Sequence, residues 1–502
     1  MAPKRYLVRT FGCQMNVHDS ERIAGVLSEA GMEPATDLDD ADVVVLNTCC
    51  VRENADNKLY GNLGQLKTLR ASRPHLQIAV GGCLAQKDRE LIRARAPHVD
   101  AVFGTFNVRR VAELLRQAED EGPITEVLDE APPDEDLFPS ALPVRRNVGH
   151  AGWVTIQIGC DNSCAFCIVP AVRGPEVSRP FGDVMAEVAS LARTGTVEVT
   201  LLGQNVNSYG RDLALSLRAG DRQGEAHHVA GPAWAEDPSR SARPLFGDLL
   251  RSVGSVPGIR RVRFTSPHPK DLRPETIAAM AETGTVCEHL HLPLQAGSDR
   301  VLREMRRGYT AERYLERLGA ARAAVPDLAV TTDLIVGFPG ETEEDFERTL
   351  EVVAEAAYDS AYTFVFSPRP GTRAAAMEDR FVPPPVCAER FERLKVVVER
   401  SALARHRARV GRVEEVLVEG PSKKDSRLLT GRTRQNKLVH FRPEGAVRRG
   451  EVDVLGPTNG APPLRPGAFA AVRVTDAAPH HLMGELVEVT HRPRVRVPVQ
   501  AG

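Results

Sequence analysis

The sequence predicts an α/β protein with a small β-barrel at its carboxyl-terminal end. Two successive series of alternating strand and helix patterns run along the chain, and an acidic stretch without periodicity separates them. The final part of the chain changes to short strands between glycine and proline turns. Alternation of strands and helices indicates parallel sheets, whereas short strands with frequent turns indicate a barrel. A chain of 502 residues is too long for one hydrophobic core, and about three domains are expected.

The first series predicts an open parallel α/β sheet over residues 1–118. Each strand pattern is followed by a helical pattern, and Gly31 is a stop signal for the first helix. The strand segments are YLVRTF, DVVVLN, LQIAVGG and VDAVFG, and the helical segments are SERIAGVLSEAG, ADNKLYGNLGQLKTLRAS, KDRELIRARA and VRRVAELLRQAED. Residues 119–146 are acidic, rich in proline and without period, which predicts a linker.

The second series, over residues 147–408, contains six strand patterns with helical patterns between them. The strand segments are VTIQIG, VEVTLLG, IRRVRFTS, EHLHLPL, LAVTTDLIVGF and AYTFVFS. Six βα units predict a partial barrel, although the periodicity alone fits an open sheet as well. Residues 211–244 are rich in Ala, Gly, Arg and Ser, and we expect a flexible surface insertion there.

The last domain is predicted over residues 409–490 as a small all-β barrel. It follows the helical segment CAERFERLKVVVERSALARHRARV. Its strand segments are VEEVLVEG, RLLTGRT, KLVHF, AFAAVRVT and GELVEVT. Short strands separated by glycine and proline turns are typical of such barrels.

Composition excludes several classes of protein. Hydrophobic residues make up 42% and charged residues 26%, as in ordinary globular proteins, and the formal net charge of −2 argues against a globally basic nucleic-acid binder. No run of about 18 apolar residues and no secretion signal is visible, so we expect a cytoplasmic protein without membrane contact. Nine cysteines in such a chain indicate metal ligands or reduced thiols rather than disulfides.

The strongest chemical signal is the segment GCDNSCAFCIVP. Cys160, Cys164 and Cys167 follow a barrel strand in a C-x3-C-x2-C arrangement. A structural zinc site normally closes its tetrahedron with a fourth Cys or His, and nothing nearby completes that pattern. A 4Fe–4S cluster held by three thiolates leaves one iron open for catalysis, and the end of a barrel strand is where such folds carry active sites. A zinc knuckle is the alternative.

Three further cysteines follow strands of the first domain. Cys13, Cys83 and one of the pair Cys49 and Cys50 each lie after a strand pattern, so their thiols are expected at one edge of the sheet. In VVVLNTC two residues separate the last apolar position from Cys49, as two separate Val80 from Cys83, which selects Cys49. Three convergent thiols indicate a second cluster, whereas core filling is the ordinary role of a single buried cysteine and is assigned to Cys287 and Cys387.

The cysteine loop and two glycine-containing segments resemble the radical S-adenosylmethionine superfamily. The loop carries an aromatic residue at Phe166, and LLGQNVNSYG and DLIVGFPGETEEDF are similar to cofactor-contacting segments. The resemblance implies that the open iron binds S-adenosylmethionine and that one electron cleaves it to a 5′-deoxyadenosyl radical. The cofactor-binding residues that it implies are Phe166, Gly203, Gln204, Asn205, Gly337 and Gly340. Each glycine would let backbone approach a ligand, and each equally suits a tight turn. Thr342 with Asp345 predicts a helix N-cap.

Nearly the whole chain resembles the methylthiotransferase family, in which this superfamily's barrel lies between a cysteine-bearing N-terminal domain and a C-terminal TRAM barrel. The segments that carry the resemblance include TFGCQMNVHDSE, LNTCCVRENAD, GGCLAQ, RFTSPHP and FSPRPGT. GCQMN resembles the tRNA branch, which adds a methylthio group to carbon 2 of isopentenyladenosine beside the anticodon. The resemblance implies two 4Fe–4S clusters and two molecules of S-adenosylmethionine, one for methylating a cluster sulfur and one for the radical.

A basic segment of the C-terminal barrel favours an RNA substrate. Residues 421–450 hold nine Lys or Arg against two Asp or Glu. Phosphate contacts are predicted for Lys423, Lys424, Arg427, Arg432, Arg434 and Lys437, with Phe441 and His440 available for base stacking. A solvated basic face is the alternative.

Three functions therefore remain open from the sequence. The first is a tRNA methylthiotransferase that acts as a monomer with an electron donor such as flavodoxin or ferredoxin. The second is the same chemistry on an aspartate of a ribosomal protein. The third is a zinc-bearing RNA-binding module without radical chemistry.

Overall fold

The computed structural model describes residues 3–50, 53–129, 149–220, 223–443, 447–449, 452–454 and 464–493. Within them the chain forms an N-terminal parallel sheet, a central half-open βα barrel and a closed C-terminal β-barrel. This architecture confirms the predicted α/β class with a small β-barrel. None of the helices in the described ranges is long and apolar enough to cross a membrane.

The N-terminal unit is a six-stranded parallel sheet with the strand order β2-β1-β3-β4-β5-β6. Its central strand β3 is buried at every position, as expected for a strand covered by helices on both faces. The elements in chain order are β1 (Arg5–Phe11), α1 (Gln14–Glu29), β2 (Glu33–Pro34), β3 (Val43–Thr48), α2 (Glu53–Ser72), β4 (Gln77–Gly81), α3 (Cys83–Asp88), α4 (Glu90–Arg95), β5 (Ala101–Phe103), α5 (Val111–Glu121) and β6 (Ile124–Glu126).

The predicted linker begins later than expected. Strand β6 lies inside the segment 119–146 and pairs in parallel with β5, so the sheet extends to Glu126. The sequence pattern missed this strand because it has only three residues, none of them fully buried. Residues 130–146 of the predicted linker lie outside the described part of the chain.

The central unit arranges six parallel βα strands in two three-stranded sheets, β11-β10-β7 and β12-β13-β14. A bridge between Val262 and Val286 joins the two sheets, which makes the unit a partial barrel rather than an open sheet. Its elements are β7 (Ala151–Thr155), β8 (Gln157–Ile158), α6 (Val169–Arg173), β9 (Val177–Ser178), α7 (Phe181–Arg193), β10 (Glu198–Leu202), α8 (Arg211–Ala219), α9 (Ala226–Ala230), α10 (Pro232–Ala235), α11 (Phe246–Gly254), β11 (Arg261–Phe264), α12 (Pro274–Glu282), β12 (His289–His291), α13 (Asp299–Glu304), α14 (Ala311–Ala324), β13 (Ala329–Val336), α15 (Glu343–Ala356), β14 (Ser360–Val365) and α16 (Pro384–Arg407).

The described part of the segment 211–244 is folded, which corrects the expectation of a flexible insertion. Helices α8, α9 and α10 lie within it, and Leu217, Val229 and Trp234 join the hydrophobic core of the barrel. Trp234 is 2% exposed, and its indole N–H donates to the carbonyl oxygen of Ser241 at 2.9 Å. The overall composition suggested a loop, but these few apolar residues are enough to fix the segment on the barrel.

The C-terminal unit closes five strands into a barrel in the order β15-β16-β17-β21-β20. Along β15 and β16 buried positions alternate with less buried ones, so one side of each strand faces the barrel core. The elements are β15 (Val413–Pro421), β16 (Leu429–Thr433), β17 (Leu438–Arg442), β18 (Val447–Arg449), β19 (Val452–Val454), β20 (Phe469–Ala477) and β21 (Leu482–His491). The short β18–β19 pair was not predicted.

The C-terminal barrel docks on the side of the central barrel where its strands begin. Arg261, the first residue of β11, is fully buried and donates to the carbonyl oxygens of Arg432 and Glu415 at 2.8 Å each. Lys437 forms a buried ion pair of 2.6 Å with Asp359, which directly precedes β14. The carboxyl ends of the barrel strands, where active sites lie in such folds, therefore face away from this interface.

We predict that Lys437→Met lowers the free energy of unfolding by about 3–5 kcal/mol, because it leaves the carboxylate of Asp359 buried without its cation. Urea unfolding followed by circular dichroism measures this loss. Lys423→Met is the matched control, since Lys423 is exposed and its replacement is expected to cost no more than about 0.5 kcal/mol. Equal losses in both variants would contradict the interface.

We also predict that Trp234→Ala costs about 3–5 kcal/mol, because it opens a cavity between the insertion and the barrel. The same unfolding measurement tests this. A loss of no more than about 0.5 kcal/mol, which is typical of an exposed position, would restore the expectation of a loosely attached insertion.

Candidate metal centres and nucleic-acid surface

The three clustered cysteines lie on the loop between β8 and α6, past the carboxyl end of the first barrel strand. Backbone hydrogen bonds fix this loop at both ends. The N–H of Cys160 donates to the carbonyl of Gly174 at 3.2 Å, and that of Cys167 donates to the carbonyl of Cys164 at 3.1 Å. The loop therefore presents three thiols on a short, well-anchored stretch of backbone.

Burial and one arginine set the charge state of these thiols. Burial raises the pKa of Cys160, and it raises the pKa of Cys167 to about 12. The guanidinium of Arg307, which is 6% exposed, donates to the Sγ of Cys164 at 3.3 Å. The two raised pKa values mean that Cys160 and Cys167 carry protons at neutral pH and release them when they bind iron. Arg307 supplies a buried positive charge beside the thiolates that result.

Buried polar atoms at the ends of neighbouring strands fit a polar ligand beside this loop. In the described part of the chain four such atoms have no hydrogen-bond partner: Oε1 of Gln157, Oε1 of Gln204, Oδ1 of Asn205 and Nε2 of His268. These residues follow β7, β10 and β11, which all end at the same side of the barrel. S-adenosylmethionine carries amino, carboxylate, hydroxyl and adenine groups that would pair with such atoms. The three unpaired amide oxygens and the imidazole nitrogen therefore fit the polar groups of this cofactor, and the cofactor-binding role of Gln204 and Asn205 stays a prediction.

The three predicted cofactor-binding glycines serve protein packing, which favours the tight-turn interpretation. A side-chain carbon on Gly337 would collide with the Sγ of Cys387, and one on Gly340 would collide with the guanidinium of Arg380. One on Gly203 would press on Val206 and Gln157. Gly337 and Gly340 also have φ values of 75° and 79°, which the turn before α15 requires. Phe166 packs, partly buried, against the barrel core.

The helix start after these glycines agrees with the sequence. Thr342 and Asp345 form a capping box at the N-terminus of α15, which confirms the predicted cap. Cys287 and Cys387 are 2% and 5% exposed, as expected of core cysteines.

The cysteines of the N-terminal sheet meet at its carboxyl edge. Cys13 directly precedes α1, and Cys83 is the first residue of α3. Asn47 pairs with Gly81 across β3 and β4, so Cys49 and Cys83 each lie two residues past this pair. A side-chain carbon on Gly12 would collide with the Cβ of Cys49, which brings the backbone before Cys13 against Cys49. The structure thus supports the register argument that selected Cys49.

Hydrogen bonds join these thiols in two pairs. A hydrogen bond from Cys49 lowers the pKa of Cys13 to about 6. A hydrogen bond from Cys50 lowers the pKa of Cys83, and the same bond together with burial raises the pKa of Cys50. Cys50 is therefore not isolated from the site, although the sequence treated it as a bystander. It is a fourth thiol in direct contact with one of the three predicted ligands.

Arg173 connects the two groups of cysteines. It ends helix α6, which begins two residues after Cys167. Its Nε donates to the Sγ of Cys83 at 3.3 Å, and its Nη2 donates to Asp19 at 2.5 Å. The side chains of all these groups are buried or nearly so, and the guanidinium adds to the lowering of the pKa of both Cys13 and Cys83.

The rest of α6 also packs into the N-terminal unit. Ile168 and Val172 belong to the hydrophobic core of the N-terminal sheet, and the hydroxyl of Thr105 donates to the carbonyl of Val172 at 2.8 Å. The loop that carries the barrel cysteines is thus anchored on the sheet that carries the others. Sequence reasoning missed Arg173, Asp19 and Arg307. Arg173 and Asp19 each lie six residues after a predicted cysteine ligand, Cys167 and Cys13, whereas Arg307 follows none of the quoted segments.

The described residues contain no group of three His, Cys, Asp or Glu side chains that could hold a single metal ion. A 4Fe–4S cluster makes a different demand, because each thiolate binds a different iron. Two groups of three buried or half-buried thiols, with a guanidinium donating to one sulfur of each, fit such clusters in ligand chemistry and in charge.

The predicted RNA-binding residues divide into an exposed set and a docked set. Lys423, Lys424 and Arg427 are exposed in the loop between β15 and β16, where Arg427 pairs with Asp425. Arg432 is 40% exposed and pairs with Glu419 at 3.1 Å. These four side chains form the basic surface that remains available to a nucleic acid.

Two predicted phosphate contacts are wrong because the residues bind the central barrel. Lys437 is 4% exposed and paired with Asp359, and Arg434 donates to both carboxylate oxygens of Glu288 and to the carbonyl of Val286. Base stacking by Phe441 is also wrong, since its ring is fully buried in the core of the C-terminal barrel. His440 lies edge-on to His481, half-buried.

Three family models match the chain in the order of its structural units. They are described as uncharacterized protein family UPF0004 over residues 5–104, the Radical SAM superfamily over 154–353 and the TRAM domain over 407–487. Among solved structures, a radical S-adenosylmethionine methyltransferase, TsrM, from Kitasatospora setae is 14% identical, with a TM-score of 0.48 over 74% of this chain and 75% of that chain.

Curated relatives match almost the whole chain. A tRNA-2-methylthio-N(6)-dimethylallyladenosine synthase of Mycobacterium sp. (strain JLS) is 51% identical over 97% of this chain and 90% of that protein. One of the same name from Salinispora arenicola (strain CNS-205) is 52% identical over 98% of this chain and 90% of that protein. The chain belongs to the tRNA-2-methylthio-N(6)-dimethylallyladenosine synthase family of radical S-adenosylmethionine proteins.

Proposed function

We propose that this protein adds a methylthio group to carbon 2 of N(6)-dimethylallyladenosine beside the anticodon of tRNA. The observation that carries the proposal is the near full-length identity of about half to relatives of that name, in a chain with two groups of three cysteines. Carbon 2 of an adenine offers no acidic proton to a general base, so a radical route is a reasonable chemical requirement.

The barrel loop would hold the radical centre. When bound there, a 4Fe–4S cluster with S-adenosylmethionine supplies a radical able to remove hydrogen from an unactivated carbon. Cys160, Cys164 and Cys167 would be its ligands, and the guanidinium of Arg307 donates a hydrogen bond to the Sγ of Cys164. The unpartnered polar atoms of Gln204 and Asn205 would orient the cofactor, while the apolar barrel core behind them excludes water.

The N-terminal sheet would hold a second 4Fe–4S cluster on Cys13, Cys49 and Cys83. The resemblance implies that a sulfur on this cluster is methylated and then transferred to the substrate. Helix α6 and Arg173 support this assignment, because they keep the carboxyl edge of the sheet against the cysteine loop of the barrel. A substrate base between these two edges would be close to both chemistries.

The remaining partners complete the proposal. Lys423, Lys424, Arg427 and Arg432 would contact phosphates of the tRNA. A one-electron donor such as flavodoxin or ferredoxin would supply the reducing equivalent to a monomer, in the cytoplasm where the tRNA is.

Substrate identity is tested with the reconstituted protein, S-adenosylmethionine and a reductant. We expect isopentenylated tRNA to gain a methylthio group, detected by mass spectrometry of its nucleosides, and unmodified tRNA to stay unchanged. If the protein modifies an aspartate of a ribosomal protein and leaves tRNA unchanged, its substrate is the ribosomal protein and the proposal is wrong.

Iron content tests the ligand assignment. We predict about eight irons per chain after anaerobic reconstitution, and about four in Cys160→Ala or in Cys13→Ala, because each substitution removes one ligand of one four-iron cluster. Iron and sulfide analysis measures this. Cys287→Ser is the matched control and should keep about eight irons. Cys50→Ser should also keep about eight, because its hydroxyl preserves the hydrogen bond to Cys83. Stoichiometric zinc, or loss of four irons in Cys50→Ser but not in Cys49→Ala, would contradict the assignment.

Arg173 offers a test of the coupling between the two halves of the site. We predict that Arg173→Gln lowers the reduction potential of the N-terminal cluster, because it removes a positive charge and a hydrogen bond from the sulfur of Cys83. Redox titration followed by electron paramagnetic resonance of each single-cluster protein measures this. Arg173→Lys keeps the charge and should shift the potential less. Arg173→Gln combined with Asp19→Asn is a second control, because it removes the buried carboxylate that Arg173→Gln alone would leave without a cation. An equal shift in both clusters would point to a general structural change.

A further inference from the structure

A cavity of about 250 Å³ lies away from the cysteine loops, at the junction of α14, α16 and β15. It is on the side where the barrel strands begin, because Asp327 lies two residues before β13 and Asp359 directly precedes β14. Its charged lining consists of these two aspartates and four arginines, namely Arg322, Arg405, Arg409 and Arg412.

The carboxylates around this cavity are already engaged by other cations. Asp359 pairs with Lys437 at 2.6 Å, and Asp327 pairs with Arg409 at 2.8 Å and with Arg412 at 3.2 Å. Arg409 also pairs with Glu414 at 2.6 Å. Five cationic side chains against three carboxylates leave an excess of two positive charges at the cavity.

Arg322 and Arg405 are the source of this excess. Both donate to the same acceptor, the carbonyl oxygen of Ala357, at 3.0 and 3.1 Å, so their guanidinium groups lie side by side. Neither arginine forms an ion pair within the described residues. The Nε of Arg322 is buried and has no hydrogen-bond partner among those residues. Burial, followed by the positive charge of Arg405, lowers the pKa of Arg322.

Capping of a helix explains only part of this arrangement. Ala357 follows the last residue of α15, and a cation is favourable at a helix C-terminus. A backbone carbonyl accepts up to two hydrogen bonds, so each arginine uses one N–H group on it. Both arginines line the half-open cavity, and within the described residues their guanidinium groups have no carboxylate partner. Two adjacent guanidinium groups present the planar, forked donors that match the oxygens of a phosphate.

We propose that this cavity binds a phosphate group through Arg322 and Arg405. The phosphate comes either from a free inorganic anion or from the backbone of the tRNA, and only the second source rests on the proposed function. The C-terminal barrel unit contributes Arg409 and Arg412 to the lining just before β15, so a ligand here also contacts the interface between the two barrels.

The first arm of the test uses inorganic phosphate and the full-length protein without clusters. We expect phosphate to raise the melting temperature of the wild type more than chloride at equal ionic strength. The double variant Arg322→Gln/Arg405→Gln should abolish the extra stabilisation by phosphate. Arg405→Gln alone should remove most of it, and this single variant changes an exposed residue, so it should fold normally. Arg400→Gln is the matched control, since Arg400 is an exposed arginine of α16 outside the cavity, and it should respond like the wild type.

The second arm uses tRNA and identifies the source of the phosphate. If it belongs to RNA, Arg405→Gln weakens tRNA binding regardless of sequence and reduces the slope of log K against log salt by about 1. If it is a free anion, the variant loses the phosphate response and keeps its tRNA affinity. Both outcomes support the phosphate site. Neither measurement requires turnover, so both can be interpreted even if the methylthiotransferase assay fails. A double variant that matches the wild type with both phosphate and tRNA would overturn the proposal.

Discussion

The contact of Arg173 with Cys83 and Asp19 is the interaction on which the rest of the site depends. A buried guanidinium needs partners for its charge and its N–H groups, and here those partners, Cys83 and Asp19, belong to a different structural unit. The short helix α6 must therefore leave the barrel and enter the core of the N-terminal sheet. That requirement fixes the angle between the two units and brings their cysteine-bearing edges together.

The two groups of cysteines differ in their electrostatic surroundings although both consist of three thiols. Around the barrel loop, burial dominates and raises the pKa values of Cys160 and Cys167. At the sheet edge, hydrogen bonds between thiols lower the pKa of Cys13 and Cys83. Iron must therefore displace protons from Cys160 and Cys167, whereas Cys13 and Cys83 at the sheet edge release theirs more readily. Within the proposed function, this difference suits two clusters with separate tasks.

The sequence located the cysteines at the ends of strands, because the end of a strand can be found from its own pattern of apolar residues. It missed Arg173 because the partners of this residue lie 90 and 154 residues earlier in the chain. Lys423 and Lys437 lie in the same basic segment, and composition could not tell them apart. The structure shows that Lys423 is exposed, whereas Lys437 lies buried at the interface between the two barrels. Alternation offered a clue here, since Lys437 shares its strand face with the buried Val439 and Phe441. Trp234 likewise carried more information than the loop-like composition around it.

The docking of the C-terminal barrel makes it more than an appendage for nucleic acid. The guanidinium of Arg261 has no exposed surface, and two of its hydrogen bonds end on carbonyl groups of the C-terminal unit. A chain that stopped before residue 409 would leave this charge and the apolar Val197 without their covering. The unit that carries the basic surface thus also covers the end of the central barrel where its strands begin. Within the proposed function, substitutions in this small domain would therefore affect both the stability of the protein and its contact with tRNA.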